Sequence, residues 1–209
     1  MKVLVACEES QRVCVAFRNR GFDAYSCDIQ ACTGGHPEWH YQCDVREILN
    51  DKWDLIIAHP PCTYLTIAGA ANIPKHPERI TKGIEAASFF MEILNAPCDH
   101  VAVENPIPMK LFDLPKYNQI VRPYMFGENN GKPICLWLKN LPQLQPTNVI
   151  PLKQEMCVWT YKKTGERKSC SKWYNTNTND HNRHRSKTFP CIAEAMAQQW
   201  GDYLRGEYK

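Results

Sequence analysis

The first half of the chain alternates short apolar runs with segments of mixed polarity. Four runs, "KVLVAC", "DAYSCDI", "WDLIIA" and "HVAVENP", close on polar residues, and "KPICLWL" at residues 132–138 is a further candidate. Runs this short and this apolar are typical of strands that are buried on both faces of a parallel sheet. The pattern therefore predicts several such strands, with polar side chains at their carboxyl ends.

Segments with apolar residues three and four positions apart lie between and after these runs. The first predicts a helix that Ser10 can cap and that Gly21 ends. A second helix is predicted from about Glu78 to Asn95, and a closing helix from Phe189 to Leu204. The predicted apolar face of the second helix consists of Ile80, Ile84, Ala87, Met91 and Leu94. Strands that alternate with helices predict an α/β fold with a doubly wound, mostly parallel sheet.

A proline-rich connection through Pro142, Pro146 and Pro151 follows the last predicted strand. Such a connection is a candidate boundary. We therefore predict a core over residues 1–150, a small basic segment over 151–187, and a closing helix over 188–209 that returns to the core.

The composition is that of a globular protein without a membrane span. Of the 209 residues, 44% are apolar and 22% are charged. No apolar stretch approaches the ~18 residues that a span requires, and "MKVLVACEES" turns acidic too early for a signal peptide. We expect a cytoplasmic protein whose eleven cysteines, an odd number, are reduced thiols.

Charge is spread unevenly along the chain. Residues 153–187 contain nine lysines and arginines but three acidic residues, a local charge of +6 in a chain whose net charge is +3. Aromatic residues, among them Trp159 and Trp173, are interleaved with these cations. Cations neutralise phosphates and aromatic rings stack on bases, so the segment predicts a nucleic-acid partner. A merely solvated face is the alternative.

The stretch "DLIIAHPPCTYLTIAG" places a cysteine just after a predicted buried strand. Two prolines precede Cys62 and fix the backbone there. Glu104 and Asn105 end what should be a neighbouring strand. A carboxyl group in a partly apolar pocket tends to have a raised pKa and can then donate a proton. A thiol beside such an acid is the minimum needed to add sulfur to an electron-poor ring while a ring nitrogen is protonated.

These two motifs resemble the DNA cytosine-5 methyltransferases. In "PPCTYLTIAG" the nucleophile turn of that family is preserved, with Thr63 and Thr66 where the family usually has Gln and Ser, and "ENP" departs from Glu-Asn-Val at Pro106 alone. The resemblance implies a class I, Rossmann-like methyltransferase fold. It implies Cys62, Glu104, Asn105 and Lys132 as catalytic residues, and Lys132 stands where the family has arginines.

The resemblance also implies S-adenosylmethionine as the cofactor. "RNRGFDAYSCDI" is similar to the strand whose terminal acid holds the ribose, here Asp28, and "QCDVREI" to the segment whose Asp reads the adenine amino group, here Asp44. "KTFPCIAEAMA" is similar to the family's closing helix. The complete set of implied cofactor-binding residues is Cys7, Glu8, Glu9, Asp28, Ile29, Asp44, Val45 and Pro60.

Two features depart from the family pattern. The first loop, "VACEESQRV", lacks the glycines that let a backbone approach the cofactor closely, so Glu8 or Glu9 is expected near the cationic end of the cofactor, or binding is weakened. The family generally carries a sizeable target-recognition domain, whereas about fifty residues are available here.

The implied reaction is methyl transfer to carbon 5 of cytosine in DNA. Cys62 would attack carbon 6, Glu104 would hold ring nitrogen 3 and the exocyclic amine, and carbon 5 would take the methyl group before losing its proton. A base in a duplex must first be flipped out of the stack.

Several alternatives stay open. The target could be a free pyrimidine nucleotide, the transferred group could differ, or the protein could be a non-catalytic nucleic-acid-binding or sensor protein on the same fold. Methylation of an exocyclic amine is disfavoured because His59 and Cys62 do not fit that motif. No metal site is predicted, since neither candidate set has paired Cys-x-x-Cys spacing. The two sets are Cys27, Cys32, His36, His40 and Cys43, and Cys157, Cys170, His181 and His184.

Overall fold

A computed structural model describes residues 1–153, 156–160, 165–171 and 187–207, with residues 156–159 and 168–171 given by their backbone. Seven strands form one sheet in the order β3-β2-β1-β4-β5-β7-β6. They are β1 (Lys2–Ala6), β2 (Asp23–Asp28), β3 (His40–Gln42), β4 (Leu55–Ala58), β5 (Val101–Asn105), β6 (Gln119–Val121) and β7 (Ile134–Lys139). A separate antiparallel pair consists of β8 (Met156–Thr160) and β9 (Arg167–Ser171).

The strand order reverses between β1 and β4. The chain runs outward from β1 through β2 to β3 on one side, and from β4 to β5 on the other, with all five strands parallel. Only β7, inserted between β5 and β6, is antiparallel to its neighbours in this sheet. Open α/β sheets bind ligands at such a reversal, beyond the carboxyl ends of the strands.

Three α-helices cover the two faces of the sheet. Helices α1 (Arg12–Asn19) and α3 (Pro190–Leu204) share one apolar core, in which Phe17 and Trp200 are fully buried. Helix α2 (Glu78–Leu94) packs on the opposite core through Phe90 and Ile93. The predicted fold class, a doubly wound and mostly parallel α/β sheet of Rossmann-like type, is confirmed. The domain boundaries at 150 and 187 stay a prediction.

Two local predictions about the helices are wrong. Ser10 does not cap α1, because Gln11 is the N-cap residue and the side chain of Glu8 binds the free N–H groups. The apolar face predicted for α2 is rotated, since Ile84 is 60% exposed. Gly83 is buried instead, against the ring of Phe112, which fills the space that a side chain would take.

Five short 3-10 helices connect the main elements: Pro37–Trp39, Val45–Glu47, Ile67–Lys75, Lys110–Phe112 and Pro123–Met125. The longest of them follows the Cys62 turn directly. Within the described ranges, no helix is both long enough and apolar enough to cross a membrane.

Candidate active site and cofactor cavity

A cavity of about 250 Å³ opens beyond the carboxyl ends of β1 and β2. It is lined by Cys7, Cys27, Asp28, Ile29, Gln30, Cys43, Asp44, Val45, Arg46, Pro61 and Phe89. Five of the eight residues predicted to bind the cofactor are in this set, namely Cys7, Asp28, Ile29, Asp44 and Val45. Pro60 is buried next to the lining residue Pro61, and Glu8 and Glu9 belong to the neighbouring loop.

The two predicted acids stand at different points of the cavity wall. Asp28 ends β2 and accepts a hydrogen bond from the backbone N–H of Gln30 (2.9 Å). Asp44 precedes the 3-10 helix at Val45–Glu47 and caps it, accepting from the N–H of Arg46 at 3.0 Å. The guanidinium of Arg46 also reaches Asp44 (3.2 Å). Asp28 therefore lies at a strand end, whereas Asp44 is held by the start of a 3-10 helix and by the Arg46 side chain.

Two apolar side chains border the same space. Ile29 is 74% exposed, which is costly for a large aliphatic side chain unless something covers it. Phe89, on α2, contributes an aromatic ring to the lining. An acid for ribose hydroxyls, with apolar side chains for a planar base, suits an adenosine group, so these residues fit the cofactor that the sequence implies.

Three thiols form part of the cavity wall. The sulfur atoms of Cys27 and Cys43 lie 3.8 Å apart. Burial, and then the charges of Asp28 and Asp44, raise the pKa of Cys7 to about 12. Burial and the neighbouring Cys43 likewise raise the pKa of Cys27. Thiols with raised pKa values stay protonated near neutral pH, so Cys7 and Cys27 are poor nucleophiles.

The loop between β1 and α1 adopts glycine-like backbone conformations without containing glycine. Cys7 and Gln11 have positive φ angles, 57° and 55°, in the left-handed region that glycine usually serves. The buried Gln11 side chain donates to the carbonyl of His36 (2.7 Å) and accepts from its N–H (3.0 Å). Gly34 packs so closely on this loop that a Cβ would lie 2.4 Å from that of Gln11. The glycine that packs closely against this loop is therefore Gly34, which belongs to a different segment of the chain.

Glu8 and Glu9, the two loop acids, have different surroundings. Glu8 is 4% exposed, and its carboxylate accepts from the N–H groups of Val13 (2.7 Å) and Cys14 (3.2 Å) at the start of α1. Burial raises the pKa of Glu8, although the charge of His59 and these two hydrogen bonds act in the opposite direction. Glu9 accepts from the Thr33 hydroxyl (2.6 Å). Their cofactor-binding roles stay predictions.

The Cys62 turn is tied directly to the Glu-Asn motif. Strands β4 and β5 are neighbours, and Ala58 pairs with Val103. The side-chain amide of Asn105 donates to the carbonyl of Pro60 (3.1 Å). Two N–H groups, those of Leu65 and Thr66, donate to the carbonyl of Cys62 at 3.0 Å, which closes the turn after it. Cys62 itself is half-buried and is not in a disulfide bond.

Glu104 forms a buried pair with His59. The Nδ1 atom of His59 lies 3.0 Å from Oε2 of Glu104, and the side chains are 7% and 14% exposed. Burial raises the pKa of Glu104, but the hydrogen bond and charge of His59, with the charge of Lys132, outweigh it and lower the pKa below its ordinary value. The sequence-based expectation of a raised pKa for this carboxyl is therefore wrong. That expectation did not account for His59 and Lys132, whose positive charges lie near Glu104 only in the folded chain.

Lys132 and the segment before α3 complete this half of the site. Together with Glu104 they line a narrow cavity of about 10 Å³, whose other walls are Ile134, Lys187, Thr188, Phe189 and Ile192. The hydroxyl of Thr188 lies 3.5 Å from Nδ1 of His59. The guanidinium of Arg12 donates to the Thr188 carbonyl (2.6 Å), fixing this segment to α1. In this half of the site, His59 and Thr188 were not among the predicted site residues. The signal for His59 was its place one residue past β4, level with Glu104.

The first candidate metal set is not assembled in the described part of the chain, and the side chains of the second set lie outside that part. No group of three or more His, Cys, Asp or Glu side chains there could hold a metal ion. His36 stacks on Trp39 (3.9 Å between ring centres), and His40 binds the hydroxyl of Ser26 (2.8 Å). The nine cysteines whose side chains are described are free thiols. His181 and His184 lie outside the described residues.

Most of the basic segment also falls outside the description. Arg167 begins β9, and Lys187 lines the narrow cavity beside Glu104. Lys153 is exposed, and the other cations and aromatic residues on which the nucleic-acid prediction depends lie in ranges whose side chains are not described. That prediction therefore keeps its basis in the sequence.

Comparisons with known proteins return structures but no sequence families. No protein-family model matches the chain, and neither does any curated protein. The chain is similar to a solved E. coli protein, provisionally named a DNA modification methyltransferase encoded within a prophage, at 17% identity and TM-score 0.45, over 72% of this chain and 52% of that one. It is also similar to the S. pombe Dnmt2 methyltransferase at 15% identity and TM-score 0.41, over 68% and 51%.

The chain spans about half the length of both solved structures. At these identities the likeness concerns the fold, so function is inferred from the residues of the site. Both neighbours are named methyltransferases.

Proposed function

We propose that the protein transfers a methyl group from S-adenosylmethionine to carbon 5 of cytosine in DNA, with Cys62 as the covalent nucleophile. One observation carries the proposal: the Asn105 amide binds the Pro60 carbonyl and holds the Cys62 turn beside the strand that contains Glu104. This contact joins two motifs that are 45 residues apart. It brings a thiol and a carboxyl group to the same edge of the sheet, which is what addition to a pyrimidine ring requires.

The cofactor cavity supports the proposal from the adjacent strands. Asp28 is the residue that would bind the ribose, while Ile29 and Phe89 would flank the adenine, and Asp44 would lie near its amino group. When bound, S-adenosylmethionine supplies an electrophilic methyl group. The residues of the chain bind and orient it, and they exclude water from the reacting atoms.

The protein's own groups account for the remaining chemistry. The Cys62 thiolate forms the bond to carbon 6, and Glu104 faces ring nitrogen 3 and the exocyclic amine. Lys132 places a positive charge near the same carboxylate. A base inside a duplex cannot reach this edge, so a DNA substrate must present the cytosine unstacked, at a cost of a few kcal/mol.

The test is covalent trapping. The protein is incubated with S-adenosylmethionine and a duplex that contains 5-fluorocytosine, and its intact mass is measured. Fluorine cannot leave as a cation, so the reaction stalls as a protein–DNA adduct after methyl transfer. The expected result is an adduct that maps to Cys62 and is absent from Cys62→Ser, because a hydroxyl is far less ionised than a thiol at neutral pH.

Cys32→Ser is the matched control, since Cys32 is also a half-buried free thiol but lies in the loop before β3. It should form the adduct normally. An adduct with 5-fluoro-deoxycytidine monophosphate alone would reassign the substrate to a free nucleotide. Methylation of ordinary cytosine without any adduct would point to the exocyclic amine, and a failure to bind S-adenosylmethionine would leave the sensor interpretation.

The basic segment gives a separate test for DNA as the partner. Phosphate contacts make affinity fall linearly with salt on a log–log plot, with a slope that shrinks by about one for each contact removed. Charge reversal at Lys162 and Lys163 should therefore flatten the slope by about two. An unchanged slope would assign these lysines to a solvated face.

A further inference from the structure

The buried pair of His59 and Glu104 goes beyond the single acid that the proposed function needs. We propose, on the basis of that function, that His59 is a positioning residue that stores the proton which Glu104 delivers to the substrate base. The acid of the reaction is then the pair, joined through Nδ1 of His59 and Oε2 of Glu104.

The first support is geometric. The two side chains extend from the ends of adjacent parallel strands, their reacting atoms are 3.0 Å apart, and both are almost completely buried. A carboxylate held this way can take the Nδ1 proton at Oε2, and a base that contacts Oε2 can then receive it. The Thr188 hydroxyl lies 3.5 Å from the same Nδ1 atom.

The second support is the other ring nitrogen. Nε2 of His59 is buried and has no hydrogen-bond partner in the part of the chain that the structure describes. A buried ring nitrogen without a partner is uncommon and calls for an explanation. In the imidazolium form Nε2 carries a proton and keeps it when Nδ1 gives its own to Glu104, so the ring holds one proton that it can release.

Three charged groups and one neutral hydroxyl, each on a different part of the fold, surround His59. Glu104 on β5 and Glu8 in the β1–α1 loop favour the imidazolium, while Lys132 before β7 opposes it, and Thr188 before α3 contributes a neutral hydroxyl. Burial lowers the pKa of His59, but the two carboxylates outweigh burial and Lys132, so the pKa lies above its ordinary value. The proton that the pair shares therefore favours the imidazole over the carboxylate.

The proposed step couples addition of the Cys62 sulfur to protonation of the base. As the bond between the Cys62 sulfur and carbon 6 forms, the π electrons of the carbon 5–carbon 6 bond shift towards ring nitrogen 3. The proton on Nδ1 of His59 moves to Oε2 of Glu104 and from there to nitrogen 3, so the pair gives up its one shared proton. When the thiolate leaves after methyl transfer and loss of the carbon 5 proton to solvent, nitrogen 3 returns its proton to the pair.

The experiment compares pH–rate profiles of methyl transfer for the wild type, His59→Gln and His100→Gln. Glutamine can still donate to Glu104 but cannot store a proton. His100 is the matched control, because it lies at the opposite end of β5, where its Nδ1 faces the Asp54 carbonyl (3.1 Å). We expect the wild-type rate to fall on the alkaline side as His59 loses its proton, and the rate of His59→Gln to be about 10²-fold lower with that limb absent.

A second measurement is independent of activity. The ring of His59 is titrated by NMR in the wild type and in Glu104→Gln, where its pKa should fall because the carboxylate is gone. A folded His59→Gln variant with the wild-type rate and profile, or a His59 titration that Glu104→Gln does not change, would overturn the assignment alone. A wild type that transfers no methyl group would overturn the proposed function and the assignment together.

Discussion

The carboxyl edge of the sheet has two halves that differ in size and polarity: an open half beyond β1 and β2, and a charged half beyond β4 and β5. Beyond β1 and β2 the chain leaves a cavity of about 250 Å³ with thiols and an exposed isoleucine in its wall. Beyond β4 and β5 it leaves about 10 Å³, and charged groups are packed against each other. The first half is built to receive a large, mostly apolar ligand group.

The second half is built to hold protons and charges in fixed positions. His59 and Glu104 are paired with each other, and Lys132 and Glu8 act on them electrostatically. Removing one charge from such a cluster leaves its neighbours uncompensated, whereas trimming the open cavity leaves water in its place. Mutations in the charged half should therefore have larger effects than mutations in the open half.

The largest effect is expected from Glu104→Gln. The variant keeps the shape of the side chain but loses proton transfer, so we expect the rate of methyl transfer to fall by about 10²–10⁴-fold. Glu85→Gln, an exposed acid on α2, is the control and should retain the wild-type rate. A Glu104→Gln variant with nearly full activity would show that the charged half is structural.

Stability should depend on pH through the same pair. The lowered pKa of Glu104 contributes stability that is present above its unfolded value of about 4.5 and is lost as the pH falls through the folded value. The raised pKa of His59 contributes stability that is present below about 6.5 and is lost as the pH rises through the folded value. The stabilisation by the pair is therefore greatest between about pH 4.5 and 6.5.

Urea unfolding of the wild type and His59→Gln at several pH values measures this contribution. We expect the variant to lose about 1–3 kcal/mol within that window, and less on either side. A difference between the two proteins that is constant from pH 4 to 9 would mean that packing, and not charge, accounts for it.

In the open half, Asp28→Ala should weaken S-adenosylmethionine binding by tens of fold. It removes a charge-assisted hydrogen bond to the ribose, which is worth about 1.5–3 kcal/mol. Titration calorimetry measures the affinity. Asp23→Ala, at the other end of the same strand, is the matched control because its carboxylate pairs with Arg18 on the surface. Equal losses in the two variants would argue against the ribose role.

The smallest effect is expected from Ile29→Ala. The side chain is 74% exposed, so its removal should change the free energy of unfolding by less than about 0.5 kcal/mol. If adenine covers it, the variant should bind S-adenosylmethionine about fivefold more weakly, as expected for losing roughly 1 kcal/mol of apolar contact. Unchanged affinity would remove Ile29 from the cofactor site.

The alternation of apolar runs was sufficient to predict the central strands, since four-residue runs such as that in β4 are fully buried. Strands β3 and β6 were not predicted, because three residues carry too little periodicity to be recognised. The face of α2 was misjudged for a different reason. Periodicity identifies apolar positions, but a glycine that packs against Phe112 decided which side lies inward.

At the site, the sequence indicated Cys62, Glu104 and Asp28 because motifs and strand ends are local features. The partnership between His59 and Glu104 depends on which strands are neighbours, and no local pattern contains that information. The same is true of the β1–α1 loop. The lack of glycine suggested an altered path, whereas Cys7 and Gln11 adopt left-handed conformations and Gly34 approaches from another segment.

Insertion of β7 between β5 and β6 also determines what the sheet presents to other molecules. The two edge strands of the seven-stranded sheet are β3 and β6, each three residues long. An open edge is a template on which a second chain can add a strand, and short edges are one way in which proteins avoid that association. The long, apolar strands β1, β4 and β5 are all interior. The topology that assembles the site therefore also protects the folded chain against edge-to-edge aggregation at high concentration.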